Sequence, residues 1–356
     1  MIRVLVVDDS AFMRIAISDM LSKADDIEVV GTAKDGIEAI KKVKELKPDV
    51  VTLDIQMPRM DGLTALEIIM KEYPTPVIMF SALTKEGARE TLEALKLGAI
   101  DFVAKPWKSI SYDLSPVEFE LLSKIRAAKY SNPQIIRLQN LKRFRQGIVR
   151  GNWNAVKKDL CVLIGASTGG PSAIEQVVTR LPSDFPAPIF IVQHMPRGSF
   201  TEQFANRLNV QSEITVKEAE NNEKIKKGVA YVAPGGYHMK VKFSLGIKRI
   251  KITDEPPVNA VKPSVDVTAF SLPQAYGKNI IGVLLTGMGE DGARGLKKIK
   301  AVGGKTIACS ADTCVVFGMP KAAIDMGAID SVKPLYEIAE EIVKFVEVIV
   351  NEQPNN

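Results

Sequence analysis

The stretch IRVLVVDDS, residues 2–10, determines the fold class predicted for the N-terminal part of the chain. Its first six residues are mostly apolar and are followed by two aspartates and a serine, a pattern typical of a short buried strand leading into a helix. Four further apolar runs, EVVGTA, VVTLD, PVIMF and AIDFVA, alternate with amphipathic segments up to about residue 130. Such alternation predicts an α/β domain with a parallel sheet and helices on both faces.

A second series of strand-like runs follows in the C-terminal half: LCVLIGAS, PIFIVQHM, GVAYVAP, NIIGVLLTG and KTIACS. It predicts another α/β domain, because strands again alternate with helical segments. The segment between the two series has seven basic residues, no acidic residue and two glycines, which is typical of a linker. We therefore expect two doubly wound parallel-sheet domains, residues 1–130 and 159–350, joined by a basic linker over residues 131–158.

The composition limits the location and the partners of the protein. With 46% hydrophobic and 25% charged residues it matches a globular protein, and no apolar run reaches the roughly 18 residues that span a bilayer. We expect a cytoplasmic protein without membrane insertion. Cys161, Cys309 and Cys314 are odd in number and lack CxxC spacing, which predicts buried thiols. The linker carries seven basic residues, which is more than the net charge of +5 for the whole chain, so the two folded domains together are close to neutral. We therefore expect no nucleic-acid partner.

Polar residues follow four of the predicted strands in the first domain: Asp8, Asp9, Asp54, Ser81 and Lys105. Parallel strands end at one edge of a sheet, so these side chains are expected to meet there. Three carboxylates would repel one another unless a divalent cation neutralised them, and their hard oxygen atoms suit Mg²⁺. A lysine and a hydroxyl nearby could bind the oxygens of a phosphoryl group carried by the central Asp54. Helix capping would explain one aspartate, but not residues at four strand ends.

This set resembles the receiver domain of two-component response regulators, which has a flavodoxin-like fold. The positions that match the family are the acidic pair Asp8 and Asp9, the phosphoacceptor Asp54, the switch residues Ser81 and Phe102, and Lys105. The resemblance implies that Mg²⁺ is held by Asp9, Asp54 and the carbonyl of Gln56. It also implies that a histidine kinase supplies the phosphoryl group.

The sequence GASTGG, residues 165–170, follows the apolar run LCVLI and has the pattern G-x-S-x-G. Glycines around a serine at a strand-to-helix turn expose its Oγ and direct helix N–H groups toward a developing oxyanion. A glycine-rich phosphate or dinucleotide loop uses the same geometry, so the motif alone leaves both interpretations open. His194 favours a hydrolase, because it ends the next strand, where a dinucleotide site would carry an acidic residue.

A hydrolase of this kind needs an imidazole base, and the chain has two histidines, His194 and His238. His194 is the better candidate, since it lies at the same sheet edge as the serine. His238 is expected to be a loop residue with a structural hydrogen bond, or else to line the cleft. A third glycine-rich turn, TGMGEDG at residues 286–292, supplies Asp291, which could orient the imidazole. Either Asp291 or Glu290, considered alone, could instead cap a helix.

Six strings, GASTGG, IVQHMP, APGGYHM, KPSVDV, LLTGMGEDGARG and CVVFGMP, resemble the catalytic domain of the chemotaxis protein-glutamate methylesterases. The chain order serine, histidine, aspartate also differs from that of the α/β-hydrolases, chymotrypsin and subtilisin. The resemblance implies a Rossmann-like serine hydrolase domain with Ser167 as nucleophile, His194 as base and Asp291 as orienting acid. It further implies that Thr168 and the backbone N–H of Met288 lie near the oxyanion.

Together the two resemblances imply an enzyme of chemotactic adaptation. Its substrates would be glutamate methyl esters on the cytoplasmic domains of chemoreceptors, with release of methanol, and some family members also deamidate receptor glutamines. No cofactor is implied for the ester hydrolysis. We expect the unphosphorylated receiver to cover the cleft containing Ser167, and phosphorylation of Asp54 to relieve this. The rival hypothesis is a non-enzymatic regulator whose linker binds nucleic acid, although the sequence contains no recognition module.

Overall fold

The structure is a computed structural model that describes residues 1–105, 115–131, 147–153 and 158–351. The chain divides into two compact units, Met1–Asn140 and Leu141–Asn356. Most of the predicted linker, residues 132–146 and 154–157, lies outside the described residues. Its described part contacts the second unit, where the Trp153 ring packs edge-on against Phe185 at 5.8 Å between ring centroids.

The first unit contains a five-stranded parallel sheet with the strand order β2-β1-β3-β4-β5, which is the flavodoxin-like order. Its strands are β1 (Ile2–Val7), β2 (Ile27–Ala33), β3 (Val50–Asp54), β4 (Val77–Ala82) and β5 (Asp101–Lys105). The helices are α1 (Ala11–Ser22), α2 (Gly36–Leu46), α3 (Gly62–Glu72), α4 (Lys85–Leu97) and α5 (Ser115–Lys129). Helix α1 contacts α5, while α3 contacts α2 and α4, so the helices form the two groups of a doubly wound fold.

Helices α1 to α4 begin at short polar side chains that satisfy free backbone N–H groups. The Ser10 hydroxyl accepts a hydrogen bond from the N–H of Met13, and the Asp61 carboxylate accepts one from Thr64. Capping of α1 and α3 is therefore performed by these residues. Asp8, directly after β1, and Asp54, the last residue of β3, are left for another role.

The second unit contains a seven-stranded parallel sheet with the order β14-β13-β12-β6-β7-β9-β8. Its strands are β6 (Cys161–Ala166), β7 (Ile189–Gln193), β8 (Thr215–Glu218), β9 (Val229–Val232), β12 (Ile280–Leu284), β13 (Lys305–Cys309) and β14 (Ser331–Lys333). Strands β10 (His238–Ser244) and β11 (Ile247–Thr253) form a separate antiparallel hairpin. The hairpin is an addition to the predicted parallel sheet.

Seven helices accompany this sheet in the described residues: α6 (Gly170–Val178), α7 (Phe200–Gln211), α8 (Val265–Ser271), α9 (Pro273–Tyr276), α10 (Ala293–Ala301), α11 (Met319–Asp325) and α12 (Ile338–Asn351). Helix α10 contacts α8 and α11, whereas α6 contacts α7 and α12. The helices again form two groups, and the prediction of two doubly wound α/β domains is confirmed.

Strands at the centre of each sheet are buried on both faces. All residues of β3, β6 and β12 are buried, as expected for parallel strands covered by helices. The three cysteines are free thiols and are buried, as the sequence predicts. Among the described residues, no helix has both the length and the apolar character needed to cross a membrane.

Candidate phosphoacceptor and hydrolase sites

An acidic cluster lies at the carboxyl ends of the adjacent strands β1 and β3. One ligand atom from each of Asp8, Asp9 and Asp54 lies within 4.8 Å of the others. Asp8 and Asp54 are buried, whereas Asp9 is exposed and leaves a path from solvent. Lys105, at the end of β5, reaches across with its Nζ 2.9 Å from Asp8 Oδ2 and 2.7 Å from Asp54 Oδ1. These four residues, predicted from the ends of three strands, therefore meet at one edge of the sheet.

The charges of this cluster are incompletely balanced. Burial raises the pKa of Asp54 to about 6, and the neighbouring Asp8 adds to this effect, while Lys105 opposes it. Burial lowers the pKa of Lys105, but its two carboxylate neighbours outweigh burial and hold it above its usual value. A divalent cation would remove the remaining repulsion, and three converging carboxylates suit Mg²⁺. The residues present therefore fit this ion.

The remaining residues predicted for this site make other contacts. The Ser81 hydroxyl donates to the carbonyl of Gly87 at 2.9 Å, in the first turn of α4. Phe102 is only 2% exposed, and its ring lies 5.1 Å from the Lys124 ammonium. The side chain of Gln56 contacts Glu90 across 3.4 Å. Ser81 thus lies in β4 and Phe102 in β5, the two strands that follow β3 in the sheet, and both side chains are buried.

The predicted nucleophile lies at a sharp turn between β6 and α6. The N–H of Ser167 donates to the carbonyl of Thr286 at 2.8 Å, and the Ser167 carbonyl accepts from the N–H of Gly170 at 2.7 Å. Gly169 has a φ of 76°, and a Cβ there would lie 2.5 Å from a side-chain atom of Val315. Glycine is required at this position, because any side chain would clash and strain the turn. The turn leaves Ser167 partly exposed.

His194 follows the neighbouring strand β7 and is tied to the serine turn through the backbone. Its N–H donates to the carbonyl of Ala166 at 3.1 Å. The buried amide of Gln193 donates to the carbonyls of both Ser167 and His194, at 2.9 and 3.1 Å. Sequence reasoning missed Gln193, although it precedes the histidine in the string IVQHMP. Its amide holds the two turns at a fixed separation.

His194 and Asp291 form a close, buried pair. Their Nε2 and Oδ2 atoms are 2.9 Å apart, and the two side chains are 10% and 3% exposed. Burial alone would raise the pKa of Asp291, but hydrogen bonds from His194, Ser264 and Asn259 outweigh it and hold that pKa below the usual value. Asp291 therefore stays a carboxylate that can orient the imidazole. Among the described residues, no hydrogen bond joins Ser167 Oγ to the histidine ring; such bonds are often long in ligand-free enzymes.

The positions predicted near the oxyanion lie on either side of the serine. Thr168 is buried, and its carbonyl accepts from the Thr286 hydroxyl at 3.0 Å. Met288 is 42% exposed and follows Gly287, where an added Cβ would lie 2.6 Å from Ser167 Cβ. The backbone before Met288 thus closely approaches the serine. Glu290, the alternative to Asp291, is exposed and pairs with Arg294 at 3.0 Å.

The second histidine is not part of this group. His238 begins β10 and is fully buried. Its Nε2 lies 3.0 Å from the carbonyl of Pro256, and its Nδ1 accepts from the N–H of Ser264 at 3.2 Å. It therefore makes structural hydrogen bonds, and it is connected to Asp291 through Ser264.

Comparison with known proteins assigns a family to each unit. The model of the CheB methylesterase family matches residues 162–342, and that of the response regulator receiver domain matches residues 4–111. The catalytic domain of Thermotoga maritima CheB methylesterase, a crystal structure, is 45% identical, with a TM-score of 0.52 over 53% of this chain and 100% of that chain.

Two relatives match this chain over almost its whole length. A protein of Archaeoglobus fulgidus named protein-glutamate methylesterase/protein-glutamine glutaminase is 64% identical over 99% of this chain and 100% of its own length. A protein of Methanococcoides burtonii with the same name is 59% identical over 99% of both chains. The chain therefore belongs to the CheB methylesterase family and combines a response regulator receiver domain with a methylesterase domain.

Proposed function

We propose that this chain removes methyl groups from glutamate side chains of chemoreceptors, with Ser167 as nucleophile, His194 as base and Asp291 as orienting acid. The observation that carries the proposal is the buried 2.9 Å pair of His194 and Asp291, one strand away from a serine at a strand-to-helix turn. This combination is the arrangement that serine hydrolases use to activate a hydroxyl.

The reaction proceeds in two steps. Ser167 Oγ attacks the ester carbonyl while His194 takes its proton, and that proton then passes to the departing methoxy group, which leaves as methanol. Water, deprotonated by His194, hydrolyses the acyl-enzyme and releases the glutamate carboxylate and the serine. N–H groups beside Thr168 and Met288 stabilise the negative charge on the carbonyl oxygen. Attack on a glutamine amide follows the same course with ammonia as leaving group, so the same site also serves as a glutaminase.

The receiver domain controls this activity through Asp54. A histidine kinase supplies the phosphoryl group, and Asp8, Asp9 and Asp54 hold Mg²⁺, with the carbonyl of Gln56 as a further ligand. When bound, the ion neutralises the negative charge that develops during phosphoryl transfer. Lys105 holds an oxygen of the transferred group.

The switch residues Ser81 and Phe102 carry the effect of phosphorylation onward. The Ser81 hydroxyl is bonded to the carbonyl of Gly87 and the Phe102 ring is buried, and phosphorylation can alter both arrangements.

We assign the receiver to residues 1–130, the linker to residues 131–158 and the methylesterase domain to residues 159–350. The protein acts in the cytoplasm.

The test follows methanol release from membranes that carry methylated chemoreceptors. Wild type is compared with Ser167→Ala, His194→Ala and the control Ser172→Ala, which alters a serine of α6 outside the proposed site. Each is assayed with and without Mg²⁺ and a small phosphodonor such as acetyl phosphate. Release should need Ser167 and His194 and should rise with phosphodonor unless Asp54 is replaced.

Full release by Ser167→Ala would show that the nucleophile is elsewhere. Ammonia release from receptors carrying glutamine at the same sites tests the second activity. It should disappear in Ser167→Ala, because one nucleophile serves both reactions.

A further inference from the structure

The carboxylate of Asp291 is surrounded by donors from a single segment, residues 259–266. Its Oδ1 accepts from Asn259 Nδ2 at 2.8 Å and from the Ser264 hydroxyl at 2.7 Å. Its Oδ2, which faces His194, also accepts from the N–H of Val265 at 2.6 Å. The segment thus fills the positions around the carboxylate that are not used by the imidazole.

A second buried carboxylate lies behind the first. Asp266 is 1% exposed, and burial together with the nearby negative charge of Asp291 raises its pKa. Asn259 Nδ2 donates to both carboxylates, at 3.0 Å to Asp266 Oδ2 and 2.8 Å to Asp291 Oδ1. The N–H of Gly295 holds the other oxygen of Asp266 at 2.7 Å. The amide of Asn259 therefore lies between two carboxylates and reduces their repulsion.

The position of Ser264 is fixed by the buried His238. The N–H of Ser264 can only donate, so Nδ1 of His238 must be an unprotonated acceptor. The proton of this neutral imidazole lies on Nε2, which donates to the carbonyl of Pro256. The Ser264 hydroxyl also accepts from the N–H of Val267 at 3.4 Å and caps α8. The backbone around Ser264 is consequently held from two sides.

We propose that Asn259 and Ser264 are positioning residues of the ester hydrolysis, which hold the Asp291 carboxylate so that its Oδ2 faces His194. The inference rests on the proposed function of this site. Neither residue touches the reacting atoms; both act through Asp291. Carboxylate torsions are broad, so an aspartate without these donors would rotate and lose its alignment with the ring.

Removal of a donor should lower kcat and leave KM nearly unchanged. Poorer alignment of Asp291 with the His194 ring lowers kcat by about tenfold, the effect of one hydrogen bond to a charged group. KM should change less than twofold, since substrate contacts are unaffected.

The test compares four variants of the full chain. Asn259 is exposed and has a φ of 55°, so Asn259→Gly removes the donor without backbone strain. Ala260 is also exposed, with a φ of 62°, and Ala260→Gly is the matched control for a more flexible segment. Ser264→Ala removes the other donor, and Ser264→Thr keeps the hydroxyl. Activity is measured as methanol release from methylated chemoreceptor membranes between pH 5 and 9.

We expect Asn259→Gly and Ser264→Ala to lower kcat about tenfold with little change in KM, while Ala260→Gly behaves as wild type and Ser264→Thr recovers most of the activity. The inference is overturned if Asn259→Gly leaves kcat unchanged. It is equally overturned if Ala260→Gly reproduces its effect, or if Ser264→Thr is as impaired as Ser264→Ala.

A readout without turnover separates this inference from the proposed function. In Ser167→Ala protein, the ring nitrogens of His194 are observed by NMR at one fixed pH. With two histidines in the chain, assignment is direct. Adding Asn259→Gly should change the chemical shift of His194 Nε2, which faces Asp291, even if the substrate class is wrong, whereas adding Ala260→Gly should leave it unchanged. Absence of methanol release from wild type would contradict the proposed function alone.

Discussion

Replacing Asp54 by asparagine is expected to stabilise the receiver domain at pH 8 when no divalent cation is bound. The Asp54 side chain is 6% exposed, and its pKa is raised from 3.8 to about 6, mainly by burial. Lys105 lowers this pKa but only partly offsets burial, and repulsion from Asp8 adds a smaller increase. An ionised Asp54 therefore destabilises the folded receiver, and asparagine removes the charge while keeping the shape.

The size and the pH range of the effect follow from the pKa. A difference of about two pKa units corresponds to about 3 kcal/mol. The folded state holds its proton more tightly than the unfolded state, so the wild type loses stability as the pH rises from 3.8 to about 6. Asparagine does not titrate. The difference in free energy of unfolding between Asp54→Asn and wild type should accordingly be absent below pH 3.8 and complete above about pH 6.

Hydrogen exchange followed by mass spectrometry of peptides from β3 and β4 measures this difference in the full chain. Wild type and Asp54→Asn are compared at the same pH in EDTA, so the intrinsic exchange rate cancels. At pH 8 the variant should exchange up to about 100-fold more slowly, which is the equivalent of 3 kcal/mol. Saturating Mg²⁺ should reduce the difference, because it neutralises the wild-type cluster.

Asp49→Asn is a matched control for which the opposite change in stability is expected. Asp49 lies just before β3, and although burial raises its pKa, the N–H of Arg3 and the Lys129 ammonium outweigh burial and lower it. Asp49→Asn should therefore speed exchange at pH 8, since a carboxylate with a lowered pKa stabilises the fold when ionised. Faster exchange in Asp54→Asn at pH 8, or a difference that does not depend on pH, would refute the reasoning.

Three further outcomes are expected. Gln193→Met removes the donor to the carbonyls of Ser167 and His194 and should lower kcat at least tenfold in the methanol assay, with circular dichroism unchanged; wild-type kcat would contradict this role. Gly62→Ala places a Cβ 2.0 Å from the backbone oxygen of Asp54 and should cost the receiver about 3 kcal/mol in urea unfolding, whereas wild-type stability would disprove the clash. EDTA should abolish activation by phosphodonor and leave basal methanol release unchanged; a fall in basal release would point to a metal in the ester step.

The sequence by itself determined the strands and the residues that end them. A parallel strand is buried on both faces and is therefore almost continuously apolar. IRVLVV and LCVLI can be predicted as strands for this reason without knowing which strands lie beside them. Parallel strands end at a common edge, which is why Asp8, Asp54 and Ser167 could be interpreted as site residues together with the polar residues at neighbouring strand ends. The whole order of helices and strands in the first unit follows from this pattern.

The tertiary structure decided which polar residues support those at the strand ends. Asn259 and Ser264 donate to a carboxylate 32 and 27 positions away, and nothing in the residue types distinguishes them from ordinary turn residues. The sequence favoured His194 over His238 because of its place at a strand end, but only the tertiary structure shows that one lies against Asp291 and the other against Pro256. Periodicity reports which face of an element is buried, but a hydrogen bond between distant segments depends on how the whole chain brings them together.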